Sequence, residues 1–362
     1  MAIWKIDELG EFVTLKRGYD LPQQKRKNGE IPIFSSSGVT GTHNEAMVEA
    51  PGVITGRYGT IGEVFFAETS FWPLNTTLYV ENFHENDEKF VYYFLKTLEW
   101  KKFASASAVP GINRNTVHKE IVRFPDFETQ QKIASVLSTI DKKIAVNKVI
   151  NDNLEQQAAA LFSSLYNRSN TEVRYTDLIQ ILGGGTPKTG ETAYWNGNIA
   201  FFTPKDVGTP YTFITEKTIT EEGLSHCNSR LYPVNTVFVT ARGTVGKVGL
   251  SGIPMAMNQS CYALVGKETH QLLVYFYTLK AVDRLKHKAS GAVFDAITTR
   301  DFDSEQIMKL SDDDAKAFLC VAEPMFQEML NNSIENLRLS TLRDFLLPKL
   351  MSGEIDVSSV QL

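Results

Sequence analysis

The sequence predicts an α+β chain with two mostly-β domains, each followed by a long helix, the two helices pairing as an antiparallel coiled coil. Three observations predict it. A phrase occurs twice, TGRYGTIGEV over 55–64 and TARGTVGKVG over 240–249, with Arg57 and Arg242 separated by 242 − 57 = 185 positions in a chain of 362 residues. Repetition near half the chain length marks duplicated domains. Each phrase lies among short β-branched and aromatic runs broken by Gly, Pro and Asn, the pattern of strands and turns. A long Gly-free heptad pattern then follows each of these regions.

Taken in order, the first domain covers residues 1–126. There IPIF (31–34) reads as a short buried strand and SSSG (35–38) as a polar turn. After the Arg phrase come Asn75, the strand-like TLYV (77–80), the aromatic helical stretch FVYYFLKTL (90–98) and the loop SASAVPGINRNT (105–116). The second domain, 169–311, repeats the order with IAFF (199–202), TPKD (203–206), the Arg phrase, Asn258, YALV (262–265), LVYFYTLKAV (273–282) and SGAVFDAITTR (290–300). It is longer between its strand and its Arg phrase, as surface loops tolerate.

In the helix predicted over 127–168, Ile133, Leu137, Ile140, Ile144, Asn147, Asn151, Leu154, Ala158, Leu161 and Leu165 recur at spacings of 4 and 3. In the helix predicted over 312–355, Phe318, Ala322, Met325, Met329, Asn332, Asn336, Leu339, Arg343, Leu346 and Leu350 hold the same register. Residues 356–362 read as a C-terminal tail. Some 40 residues at 1.5 Å each make a helix about 60 Å long, and two on one chain pair most simply antiparallel, as a spacer between two heads. Two arrangements are open at the Asn pairs. Either the amides are buried, find partners and fix register, or the seam is rotated onto Ile150 and Ile334. Pro324 predicts a kink or a restart, and Ser311 or one of Asp312 to Asp314 is the expected cap.

The composition, 43% hydrophobic and 22% charged, supplies packed cores. No apolar run of about 18 residues exists, so no membrane span is expected. The opening MAIWKIDELG lacks a signal-peptide pattern, which predicts a cytoplasmic protein. Cys227, Cys261 and Cys320 are far apart without a CxxC, and all three are expected as buried small hydrophobes. The net charge of −5 opposes nucleic-acid binding. Charge is segregated, however, with basic runs at Lys16-Arg17, Lys25-Arg26-Lys27, Lys101-Lys102 and Lys286-His287-Lys288. A local basic face and solvated loop charge are both compatible with that.

Catalytic motifs are missing. GGGTPKT (183–189) has no Gly before its Lys and so fails the phosphate-loop pattern, and no HExxH, GxSxG or paired histidine is present. Neither a catalytic residue nor a metal site is expected. The Arg phrase reads instead as a recognition loop, since a guanidinium can bond guanine O6 and N7 or a phosphate, with Gly letting the backbone approach. The competing reading has the glycines shaping a strand-turn-strand, with the Arg in an internal ion pair. Residues shared by the copies suit scaffold, and residues that differ suit base reading. The candidate DNA-binding residues are Lys25, Arg26, Lys27, Ser36, Ser37, Thr40, His43, Asn44, Arg57, Tyr58, Thr60, Asn113 and Arg114 in the first copy. In the second they are Lys188, Lys205 and Asp206, together with Arg242 and Thr244 of the Arg phrase, and the divergent segments expected to read bases there are 187–198, 204–212 and 225–230.

QQKIASVLSTIDKKIAVNKVINDNLEQQAAALF (130–162), FLLPKLMSGEI (345–355) and SSSGVTGTHN before TGRYGTIG resemble the DNA-specificity subunits of type I restriction-modification enzymes. The resemblance spans nearly the whole chain. It implies two target-recognition domains, each reading one half of a bipartite double-stranded DNA sequence, with the paired helices as a ruler for the unspecific gap. It also implies a non-catalytic subunit on which two modification (methyltransferase) subunits and two restriction (translocase and endonuclease) subunits assemble. No cofactor is then bound by this chain; S-adenosylmethionine, ATP and Mg belong to the partner subunits. Acidic 312–314 and Pro324 depart from the first helix and leave equal docking at the two helices open. Two other readings stand beside this one: an autonomous tandem-domain DNA-binding regulator, and a coiled-coil scaffold whose β-rich heads bind protein or glycan.

Overall fold

A computed structural model describes residues 3–105, 110–208, 210–288 and 296–361. Positions 106–109, 209 and 290–295 of the predicted loops lie outside the described residues. The chain packs as two units, Met1–Ala145 with Asn336–Leu362, and Val146–Glu335. Each unit therefore joins one head to part of both long helices.

In the first unit, GVITG forms the strand Gly52–Gly56, in which every residue is buried, because it is paired along both edges. Its sheet runs Thr14–Arg17, Thr77–Asn82, Gly52–Gly56, Val64–Ala67, all antiparallel. A second sheet runs Gly38–His43, Ile31–Ser35, Trp72–Pro73, the last pair parallel. The aromatic stretch is the helix Glu88–Lys96, which buries Phe90, Val91, Tyr93, Phe94 and Leu95 and is capped by the Asp87 carboxylate. Trp4–Glu8 pairs antiparallel with Ile121–Pro125 and closes the head.

The second unit repeats this order. Ile179–Gly183, Cys261–Gly266, Val237–Thr240 and Val248–Ser251 form the large sheet, and Lys217–Ile219, Trp195–Phe202 and Met255–Met257 the small one. The extra length predicted before the second Arg phrase supplies one more edge strand, Tyr211–Thr212, parallel to Val248–Ser251. Thr171–Arg174 with Gln306–Lys309 matches the closing pair. The helix Gln271–Lys288 packs under the large sheet, with Phe276 stacked on Phe162 at 5.0 Å.

The long helices are Phe127–Arg168 and Asp312–Ser352. Their starts are built alike: the Asp126 carboxylate accepts the Thr129 N–H at 3.0 Å, and Ser311 Oγ accepts the Asp314 N–H at 3.1 Å. Within each unit the partners run in opposite directions. In the first, Asp141 pairs with Arg343 at 2.8 Å and Ile133 and Leu137 share a core with Leu350. In the second, Asn147 meets Glu335 and Arg168 meets Asp314.

The alternatives left by the sequence are resolved in the second unit. Asn147 is 0% exposed and donates to Glu335 Oε2 at 2.7 Å, and Asn332, 6% exposed, donates to Asn151 Oδ1 at 3.0 Å. Ile150 is 39% exposed, so the amides occupy the seam. Two expectations are corrected. The second helix does not restart at Pro324, since the ladder continues on both sides of a single missing donor. Of the cysteines only Cys261 is buried; Cys227 is half-buried and Cys320 exposed on the second long helix, whose solvent face tolerates a small thiol. Among the described residues no helix is long and apolar enough to cross a membrane.

Candidate nucleic-acid interface

Both Arg phrases are hairpin turns between adjacent antiparallel strands of the large sheets. The first joins Gly52–Gly56 to Val64–Ala67, the second Val237–Thr240 to Val248–Ser251. Gly59 and Gly62 take φ of +74° and +87°, and Gly243 and Gly246 take +82° and +73°, a region where a Cβ is strained. The turns are the same object.

Their hydrogen bonds fix which residues correspond. The N–H groups of Arg57 and Tyr58 both donate to Thr76 O, and those of Ala241 and Arg242 both donate to Ser260 O. Ile112 N–H donates to Arg57 O, and Ile297 N–H to Ala241 O. Tyr58 bridges Gly111 as Arg242 bridges Ala296. Arg57 is thus equivalent to Ala241, and Tyr58 to Arg242. The pairing of Arg57 with Arg242 expected from the sequence is corrected by one position: the helices repeat at 185, but the turn repeats at 243 − 59 = 184.

In the first head, three segments converge on the turn. Ser36, in the polar turn, lies 3.4 Å (Oγ) from a Cβ built at Gly59. Arg57 is half-buried, donates from Nε to Ile112 O at 3.0 Å and lies 4.4 Å over the Tyr58 ring. Ser37 and Thr60 are exposed beside it. The third segment carries Asn113, which caps the helix Arg114–His118, and Arg114 at that helix's first turn, both exposed. Arg17, Asn75 and Thr76 line the same concavity as Arg57 and Tyr58. Sequence reasoning noted Arg17 in a basic run and Asn75 as a repeated residue, but nothing in linear order places them beside Arg57.

Lys27, His43 and Asn44 sit at the other end of the Ile31–Ser35 strand, where Ile31 pairs with His43, roughly 13 Å away at 3.3 Å per residue. Lys25, Lys27 and Asn44 are exposed, and Arg26 is half-buried, its guanidinium 3.7 Å from a Cβ built at Gly41; Thr40, also exposed, follows Val39, which pairs with Phe34 toward the Ser35 end. His43 leaves the candidate surface: it is 4% exposed, accepts the Lys27 N–H on Nδ1 at 3.1 Å and packs edge-on against Trp72.

The second head repeats the arrangement. Thr244 Oγ donates to Pro204 O at 3.3 Å, tying the Arg242 turn to the turn 203–206. Asp206 is half-buried and its carboxylate is engaged within the turn, accepting the Thr203 N–H and Oγ–H and the Glu216 N–H, so its role is to hold that turn together. Lys205 is exposed and pairs with Glu216 at 3.4 Å. Lys188 is exposed in a separate turn ahead of the Trp195–Phe202 strand, where its carbonyl accepts from Trp195 Nε1. Lys286, unassigned by sequence, comes within 2.5 Å (Cε) of a Cβ built at Gly246. Each head therefore offers a rigid turn with Arg, Ser or Thr groups at its rim, suited to phosphates and base edges.

The sequence profile of the type I restriction modification DNA specificity domain matches residues 1–156 and again 167–309. The chain belongs to the type I restriction-modification DNA specificity family. It carries two recognition domains, and the two matches fall on the two heads. The chain is 25% identical over 345 residues to the type I restriction enzyme HindI specificity subunit of Haemophilus influenzae, covering 72% of this chain and 75% of that one. It is 32% identical over 124 residues to the MjaIX specificity subunit of Methanocaldococcus jannaschii, covering 33% and 29%. The fold is also that of a type I S subunit from M. genitalium, with a TM-score of 0.66, 17% identity and 96% of each chain covered. As a member of this family the chain is the DNA-specificity subunit of a type I restriction-modification system, assembling with other subunits of that system.

Proposed function

We propose that each head reads one half of a bipartite DNA sequence and that the paired long helices set the unspecific gap between the halves. The observation that carries this is the duplicated turn, with one backbone hydrogen-bond pattern and different side chains at its rim in the two heads. A shared scaffold with divergent contacts is what two half-sites require. The contact set is Lys25, Arg26, Lys27, Ser36, Ser37, Thr40, Asn44, Arg57, Tyr58, Thr60, Asn113 and Arg114 in the first head. In the second it is Lys188, Lys205, Arg242 and Thr244. The chain itself is non-catalytic and acts in the cytoplasm. Two modification subunits supply adenine methylation with S-adenosylmethionine, and two restriction subunits supply ATP- and Mg-dependent translocation and cleavage. Partner subunits closing on the DNA contribute positive field that a chain of net charge −5 lacks.

The test is co-expression with the cognate modification subunit, followed by genome-wide mapping of methylated adenine. Two short sequences around one fixed gap are expected. A stable complex that methylates no defined sequence would remove the reading.

A further inference from the structure

We infer that Arg242 reads a guanine in the second half-site, and that the position it shares with Tyr58 is where the two turns are built to discriminate. The inference rests on the proposal that the heads read DNA. Its basis is the corrected register. Residues 57 and 241 make the same backbone bonds, and so do 58 and 242, so the repeated arginine is not one conserved contact.

The two arginines are also held differently. Arg57 is half-buried, with Nε bonded to Ile112 O and its guanidinium over the Tyr58 ring, and Tyr58 lies against Gly111, where a Cβ would fall 2.1 Å from its ring. That pair is preset inside the first turn. Arg242 is exposed and, among the described residues, its side chain has no hydrogen bond or ion pair. Its backbone is nonetheless fixed, by the N–H bond to Ser260 O and the bridge to Ala296. Gly243 follows with φ +82° and no Cβ, so the turn can approach a groove closely.

A rigidly based guanidinium that is exposed and has no partner among the described residues presents its donors to two acceptors outside. Guanine O6 and N7 match its fork, and a phosphate offers acceptors too. Position favours the base. A phosphate grip serves every sequence equally, so equivalent turns would keep the cation, yet the first head has Tyr58 there. Lys286 lies at the same turn and can supply a point charge to the backbone.

The experiment maps adenine methylation by the complex of this chain with its modification subunit, as wild type, Arg242→Ala and Arg242→Lys. The wild type should show a G·C pair in the second half-site. Arg242→Ala should relax that one position, with discrimination falling about 5- to 150-fold, while the first half-site and the gap stay unchanged. Arg242→Lys should relax it as well, because a lysine keeps the charge and loses the fork. The intact first half-site reports that the variants fold and assemble. A second half-site without G·C overturns the assignment. So does an unrelaxed sequence methylated evenly more slowly in Arg242→Ala and restored in Arg242→Lys, the signature of a phosphate contact. If the wild type methylates no split sequence, DNA reading by the heads fails and the assignment with it. If the wild-type sequence is split and Arg242→Ala leaves it unaltered, only the assignment fails.

Discussion

Replacing Asp126 by Ala and, separately, Ser311 by Ala removes equivalent caps at the starts of the two long helices, and the costs should differ. Ser311 Oγ accepts one backbone N–H, from Asp314 at 3.1 Å. Loss of such a cap costs about 1 kcal/mol. Asp126 accepts the Thr129 N–H at 3.0 Å and also the Ile3 N–H at 2.8 Å, so it ties the edge strand of the first head to the helix start. The additional charged hydrogen bond contributes about 1 kcal/mol more, at the low end because the group is only partly buried. Asp126→Ala should therefore cost about 2 kcal/mol and Ser311→Ala about 1. For units of this size that corresponds to about 4–8 °C and 2–4 °C in Tm. Urea titration of the full chain, followed by Trp fluorescence, reads the first unit through Trp4, Trp72 and Trp100 and the second through Trp195. Burial raises the Asp126 carboxyl, but the N–H groups of Ile3 and Thr129 outweigh it and hold it below the ordinary carboxylate range. With the folded value depressed, the stabilisation is present above that range and is lost as pH falls through it. The difference between wild type and Asp126→Ala should shrink below about pH 4. An Asp126→Ala cost no larger than that of Ser311→Ala, or one independent of pH, would refute the reasoning.

Other consequences follow from single positions. Phe162 is 1% exposed among Phe276, Tyr277 and Phe318, so Phe162→Ala should cost about 3–5 kcal/mol in the second unit; a cost under about 1 kcal/mol by denaturation would contradict that core. Gly62 has φ +87°, and an added Cβ would lie 2.8 Å from Trp100 Cβ. Gly62→Ala should cost about 1–3 kcal/mol and reduce methylation at the first half-site, measured by melting and by methylation rate, and a neutral variant would show the turn to be slack. Burial, with the Asp206 carboxylate adding to it, pushes the Cys261 thiol up to about 12. A thiol reagent at pH 8 should modify exposed Cys320 within minutes and Cys261 only on unfolding, with labelling sites read by peptide mass; early modification of Cys261 would contradict its burial.

Much of the architecture was legible because periodicity reports burial directly. The heptad runs give the long helices, and the apolar runs IPIF, IAFF, TLYV and YALV are strands buried in the two sheets. The Asn pairs could not be placed from spacing alone, since a small rotation puts Ile150 or Asn147 in the seam. The bonds from Asn147 to Glu335 and from Asn332 to Asn151 decide it, and they depend on a residue some 180 positions away. Of the two outcomes expected at Pro324, the restart does not occur, because a helix packed along its length can absorb a missing donor. The Arg phrase misled for a different reason. Letters align Arg57 with Arg242, whereas backbone bonds align Arg57 with Ala241, and one extra residue before the turn is invisible to a motif. His43 and Asp206 were chosen for their chemistry, but polar side chains of that kind also hold turns together, and here they do. Arg17 and Asn75 were visible as residues and became site candidates only when the fold brought them to Arg57.

The central claim is that two heads read two half-sites independently, and a head exchange tests it most directly. Residues 171–310 would be replaced by the corresponding second head of another family member, and methylated adenine mapped for the complex before and after. One half of the methylated sequence should change while the other half and the gap stay the same. A change in both halves, or in neither, would contradict the account.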